Sequence, residues 1–268
     1  MAASYRLYAP DHDIAYEYSQ SKPGQAVKDV VCVGFGLSSV AIAAAFAENS
    51  PGGKICFLER RPTFLWASGE ISPDNRTRTP FLRDLITSQN PRSKFTFHNY
   101  LYGTNQLVAF TNASSLYPSR LLMGQYLEWV AGQIDKLGWV SYGSEVVHVE
   151  PLKDLGASKI SSFAVHYQDL TTGERSVMIS KKVVIATGSD PYIPSALSST
   201  ELASHVLHSS ASHGLFSENV ARFPDVAIVG ATQEAAEFYE SVQEHQGGHR
   251  ATLFIEDSAL RPNDMTAL

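Results

Sequence analysis

The stretch VCVGFGLSSVAIAAAF, Val31 to Phe46, decides the fold. A β-rich run, Asp29 to Val33, meets Gly34-Phe35-Gly36, and a helix of small residues follows from Leu37 to Ala47. Lys54 to Leu58 (KICFL) is a second buried strand, closed by Glu59. Together they make a β-α-β unit of about 30 residues, the size a parallel crossover requires. In such a turn the first glycine permits the sharp bend and the second lets a diphosphate approach the backbone. The third allows close helix–strand packing. The helix N-terminus adds free N–H groups and a partial positive charge. Gly34 and Gly36 fill the first two places, and Ser39 stands in the third, where only packing is at stake. Glu59, 25 residues after Gly34, is placed to accept hydrogen bonds from ribose hydroxyls. A degenerate glycine pattern alone leaves open a β-α-β unit with no nucleotide. The strand, the helix and the terminal glutamate favour the nucleotide.

The bulk numbers fit that reading. The chain has 268 residues, 44% hydrophobic and 18% charged, which is the composition of a globular protein with a sizeable core. A net charge of -6 argues against nucleic acid or an anionic membrane as partner. No apolar run reaches the ~18 residues of a membrane span. The start, MAASYRLYAPDHD, shows no signal peptide. Cys32 and Cys56 both fall in expected buried strands, so a reducing, cytoplasmic setting is expected.

Along the chain, residues 1–28 read as a polar leader. Helices are expected over Phe81 to Thr87 and Arg120 to Lys136. Strands are expected at Glu145 to Val149, Ser162 to Tyr167 and Ser176 to Ile179, with a hairpin turn at Thr171-Thr172-Gly173-Glu174. Lys182 to Thr187 (KVVIAT) reads as a further buried strand. A second β-α-β unit follows: Asp225 to Val229, a helix from about Gln233 to Gln246, and Ala251 to Ile255.

At this point the residues resemble a known family, the flavin-dependent N-hydroxylating monooxygenases, and within it the fungal L-ornithine N5-monooxygenases. The resemblance rests on DVVCVGFG, FLERRPTFLWASG, FLRDLITSQNPRSKFTFHNYL, FTNASSLYPSRLLMGQYLEWVA, VVIATGSDPYIP, VLHSSAS and SALRPND, in family order over residues 29 to 264. It implies an α/β fold: a Rossmann-like FAD-binding domain (29–215), made of a parallel sheet plus a β-meander, then an incomplete second dinucleotide-binding unit (216–268). It also implies an FAD reduced by NADPH, O2 as co-substrate, and oxygenation of the side-chain amine of ornithine. The cofactor supplies the chemistry and the protein positions it. By position, Gly34, Gly36 and Glu59 would hold the FAD. Trp66 would approach the flavin, unless it only packs in the core. Arg120 in YPSR would lie near the isoalloxazine, unless it is a surface ion pair.

Several residues depart from the family pattern. Arg83 replaces a lysine that would hold the substrate carboxylate. Arginine also binds carboxylates, but it is longer and planar, and a solvent-facing role stays open. Thr77-Arg78 stands where the family tends to place Met-Gln, which puts Arg78 at the substrate or flavin region or in a basic loop. The second turn reads Gly230-Ala231-Thr232-Gln233-Glu234-Ala235-Ala236-Glu237. Gly230 and Gln233 keep the pattern, but Thr232 replaces the glycine that admits a diphosphate. Glu256, in place of a family arginine, repels a 2′-phosphate and favours a free ribose. NADPH is therefore doubtful and NADH only weakly allowed. The family continues beyond this chain's last residue, and one β-α-β unit cannot bury both faces of a parallel sheet. A homo-oligomer or partner subunit is expected. The alternative to a self-sufficient amine or amino-acid hydroxylase is a homologue that binds FAD, or a partner, without NADPH-driven turnover. His205, His208 and His213 sit in an element that the family carries without a metal, so no metal site is expected.

Overall fold

The computed structural model describes residues 26–50, 52–66, 76–77, 79–153, 159–188, 192–197, 204–209, 223–244, 250–256 and 260. In chain order the elements are β1 (Val30–Val33), α1 (Leu37–Asn49), β2 (Ile55–Leu58), α2 (Phe97–Gly103), α3 (Leu107–Asn112) and α4 (Arg120–Asp135). Then come β3 (Val140–Ser141), β4 (Ser144–Lys153), β5 (Ile160–Asp169), β6 (Arg175–Ser180) and β7 (Val183–Ile185). The last unit is β8 (Asp225–Val229), α5 (Gln233–Glu244) and β9 (Arg250–Phe254).

Strands β3, β2, β1 and β7, in that order, form a parallel sheet of four strands. Alternation along β1 and β2 sorts their side chains between two faces. Cys32, Ile55 and Phe57 face α1 and α4, where they meet Val40, Ala43, Tyr126, Leu127 and Val130. Val31, Cys56 and Leu58 face the other way, onto Val165 of the antiparallel meander β4-β5-β6. The result is three layers: helices, parallel sheet, meander. Burial on both faces explains why VVCV and ICFL are continuous apolar runs. It also explains the thiols. Cys32 is fully buried, and loss of hydration, with a smaller effect from Cys56, pushes its thiol up to about 12. Burial raises the Cys56 thiol too.

The structure bears out α1, β1, β2, α4, the meander, the Thr171–Glu174 turn and the second β-α-β unit. It corrects the sequence at three places. The helix expected over Phe81 to Thr87 is only a 3-10 turn, Phe81–Arg83. Asp84 ends it. One oxygen of its carboxylate accepts the amides of Ile86 (3.0 Å) and Thr87 (2.6 Å), and the other accepts Phe97 N–H (2.6 Å). Such side-chain bonds compete with helical ones. The KVVIAT strand is shorter than expected and less buried. Among the described residues β7 is an edge strand, and Ile185 is 59% exposed. Helices α2 and α3 and the short β3 were not foreseen. Residues 1–25 of the expected leader lie outside the described residues.

Candidate functional site

The first turn is built by three constraints. Gly34 has φ +90°, a conformation that glycine adopts without cost. Ser39 is fully buried in the first turn of α1, and its hydroxyl donates to the Gly34 carbonyl at 2.7 Å. The serine thus meets the packing demand of the third position and ties the loop to the helix. Glu59 leaves the end of β2 with one carboxylate oxygen accepting Phe35 N–H (2.6 Å) and the other accepting Arg61 N–H (2.9 Å). Its carboxylate therefore lies directly against the glycine turn.

The helix that follows is open to an anion. Gly36 is its N-cap and supplies no side-chain hydrogen bond, and a β-carbon on Gly36 would meet no atom within 4 Å. The orphan amides of a helix start carry partial positive charge. By contrast α2 and α4 are closed by Thr96 and Ser119, which accept the amides of Asn99 and Leu122.

Beside this open end lies a cleft of about 560 Å³. Leu37, Ser38 and Ala41 of α1 form one wall, and Trp66, Arg83 and Arg120 form others. Three residues singled out from the sequence thus converge at the start of α1. A strap holds the far side: Thr77 N–H donates to Pro118 O (2.8 Å), Arg76 Nη1 to Tyr117 O (2.9 Å), and Phe81 N–H to Leu116 O (2.9 Å). This brings Thr77 and Thr79 to the cleft next to the N-terminus of α4. The floor includes Tyr126, whose buried hydroxyl donates to Phe95 O at 2.8 Å and is driven far above its ordinary range by desolvation. Trp66 is half-buried: it lines the cleft and also packs on the core. Arg83 is exposed at the cleft mouth. Arg78 lies outside the described residues.

Arg120 does two things. It lines the cleft, and its Nη2 lies 3.8 Å from Oε2 of Glu237 on α5. Gln233 donates from Nε2 to Glu237 Oε1 at 2.9 Å. The side chain of Gln233 thus serves Glu237, a residue that sequence reasoning did not single out. The only signal was its place at the end of the second glycine-turn pattern.

The second turn is closed where the first is open. Gly230 has φ +144° and its N–H donates to Phe254 O (3.0 Å). Thr232 stands just before α5, and its hydroxyl accepts Ala235 N–H at 3.4 Å. A side chain there takes an amide that a phosphate would otherwise use. Glu256 is exposed just past β9. Among the described residues no group of three or more His, Cys, Asp or Glu is placed to hold a metal ion, and no helix is long and apolar enough to cross a membrane.

Residues 26–268 match the family model described as L-lysine 6-monooxygenase/L-ornithine 5-monooxygenase. The L-ornithine N(5)-monooxygenase of Ajellomyces capsulatus is 35% identical over 88% of this chain and 50% of its own length. That of Arthroderma benhamiae is 36% identical over 88% of this chain and 49% of its own. The chain spans about half the length of these curated relatives. Among solved structures, ornithine hydroxylase from Pseudomonas aeruginosa superposes with a TM-score of 0.77 at 29% identity, covering 90% of this chain and 58% of that one. The ornithine N-hydroxylase of Kutzneria sp. 744, in its complex with reduced FAD, NADP+ and L-ornithine, also gives 0.77 at 29%, covering 87% and 54%. These neighbours share the Rossmann-type α/β architecture seen here, and the chain belongs to the L-lysine 6-monooxygenase/L-ornithine 5-monooxygenase family.

Proposed function

We propose that this chain binds FAD along the first turn and in the adjoining cleft, as part of an N-hydroxylating monooxygenase acting on the side-chain amine of an ornithine-like amino acid. One observation carries the reading: α1 starts uncapped at Gly36, which has open space beside it, and its first residues, Leu37 and Ser38, line one cleft with Trp66, Arg83 and Arg120. Bound FAD, when reduced, supplies the oxygen-activating chemistry. The chain's own residues bind and orient. The amides past Gly36 face the diphosphate, and Glu59 faces the ribose. Trp66 and the apolar side of α1 keep water from the cleft. Arg83 holds the substrate carboxylate, in a planar two-point grip that lysine cannot give.

Titrating the purified chain with FAD tests this. Saturable uptake with a bound flavin absorption spectrum, weakened by Gly36→Ala, is expected. A chain that stays colourless with excess FAD sinks the reading.

A second reading has its own support: an FAD-binding homologue without NADPH-driven turnover. The residues of the second unit do not fit NADPH. Thr232 caps the turn itself, and Glu256, exposed just past β9, brings a carboxylate that would repel a 2′-phosphate. The division into an FAD-binding domain (29–215) and a smaller unit (216–268) belongs to the same proposal, as does a cytoplasmic setting for two unpaired buried thiols. We place a second polypeptide, another copy or a partner subunit, against the β8–β9 sheet. α5 covers one face of it through Ala235, Phe238 and Val242, while Val229 (73%) and Phe254 (54%) are exposed neighbours in register. Sedimentation of the wild type against Phe254→Ser checks this. A larger species that Phe254→Ser dissociates is expected, and a monomer in both would refute it.

A further inference from the structure

We infer that Glu237, on the second unit, holds the Arg120 guanidinium in the wall of the cleft and offsets its charge, so that the second unit governs how tightly the cleft takes an anionic ligand. The inference rests on the FAD reading above.

Arg120 is the first residue of α4, immediately after its Ser119 cap. A cation is poorly placed there, because the start of a helix already carries partial positive charge. Helix stability therefore does not account for an arginine at this position. Its side chain is only 17% exposed and that of Glu237 only 14%, with 3.8 Å between the charged atoms. Gln233, one turn earlier on α5, holds the other carboxylate oxygen at 2.9 Å. The carboxylate is thus oriented from its own helix and reaches across to α4. Charges this poorly hydrated need each other, and removing one leaves the other uncompensated. What is left uncompensated by loss of Glu237 is a positive charge that lines the cleft. A diphosphate or other anion in the cleft and the carboxylate of Glu237 therefore act on the same guanidinium. By linkage, whatever draws α5 away from α4 raises the affinity of the cleft for an anion, and the reverse holds equally. The ordinary alternative is a purely structural clasp, in which losing Glu237 would loosen the cleft and weaken any ligand.

The sign of one measurement separates the two. FAD dissociation constants are measured for the full chain and for Glu237→Gln, Arg120→Gln, the double variant, and Glu240→Gln, an exposed carboxylate on the same helix. Gln at 237 keeps the shape and an acceptor for Gln233. Glu237→Gln is expected to bind FAD on the order of three- to tenfold more tightly, the scale of one unit charge roughly 12–25 Å from the ligand at an effective dielectric of about 20. Its affinity should also fall more steeply with added salt than that of wild type. The gain should vanish in the Arg120→Gln background, and Glu240→Gln should match wild type. Weaker or unchanged binding in Glu237→Gln, or a gain that survives loss of Arg120, overturns the inference while leaving FAD binding intact. Failure of the wild-type chain to bind FAD removes the functional reading, and this inference with it.

Discussion

Gly34 lies so close to Ala186 that a β-carbon on it would stand 2.6 Å from the Ala186 carbonyl oxygen. Gly36, two residues on, would place the same atom in open space. The two glycines of the turn therefore serve different masters, the fold and the ligand.

Gly34→Ala should destabilise the protein by about 2–4 kcal/mol, from a left-handed φ and a clash with backbone that cannot move aside. Gly36, at φ -90°, tolerates a side chain conformationally. Gly36→Ala should leave the melting temperature within a few degrees of wild type and weaken FAD binding about tenfold or more, roughly 1.4 kcal/mol per decade. Thermal melts beside FAD titrations read both, and equal effects on both quantities would contradict the assignment.

Restoring the usual glycine at position 39 should harm the protein. Ser39→Gly removes the 2.7 Å bond to Gly34 and a fully buried side chain. The lost hydrogen bond and the added backbone freedom together predict a loss of about 1–2 kcal/mol by urea unfolding. Ser39→Ala should cost about half as much.

Tyr126→Phe removes the hydroxyl that satisfies Phe95 O deep under the cleft. Leaving a buried carbonyl without that donor predicts a loss of about 1–3 kcal/mol with the ring packing unchanged. A melt within experimental error of wild type would show that the Phe95 carbonyl finds another donor.

His166 sets a pH response. Burial holds its pKa below the ordinary 6.5, helped by His148 and opposed by Glu150. The unfolded chain then takes up this proton at higher pH than the folded one. Stability from this group is complete above about pH 6.5 and is lost as pH falls through that value toward the lower folded pKa. The melting temperature should drop between pH 7.5 and 5.5, and His166→Gln should drop less. An identical decline in the variant would place the response in other groups.

Much of this molecule was legible in its sequence, for a physical reason. β1 and β2 are buried on both faces, and a strand so placed must be a run of apolar residues. β8 shows the same apolar run, although one of its faces is open here. The glycines and Ser39 mark a turn that has few steric solutions. Trp66, Arg83 and Arg120 could be named because family blocks fixed their positions, and the structure gathers them at one cleft. What stayed hidden was decided at long range. The helix expected over residues 81–87 gave way because Asp84 binds Phe97 N–H, 13 residues away. The composition of β7 is that of a buried strand, and only the strand order among the described residues makes it an edge. Glu237 had only its place at the end of the second glycine-turn pattern to mark it, since its meaning comes from an arginine 117 positions earlier.

The two cysteines of the chain lie back to back in the central sheet, both with suppressed ionisation. A thiol probe added to the native protein has no sulfhydryl to attack until β1 and β2 part. The labelling rate therefore clocks the opening of the very strands that carry the glycine turn, with no engineered reporter needed. Ligand seated on that turn should slow the clock, and by how much would give its affinity without any optical signal from the ligand itself.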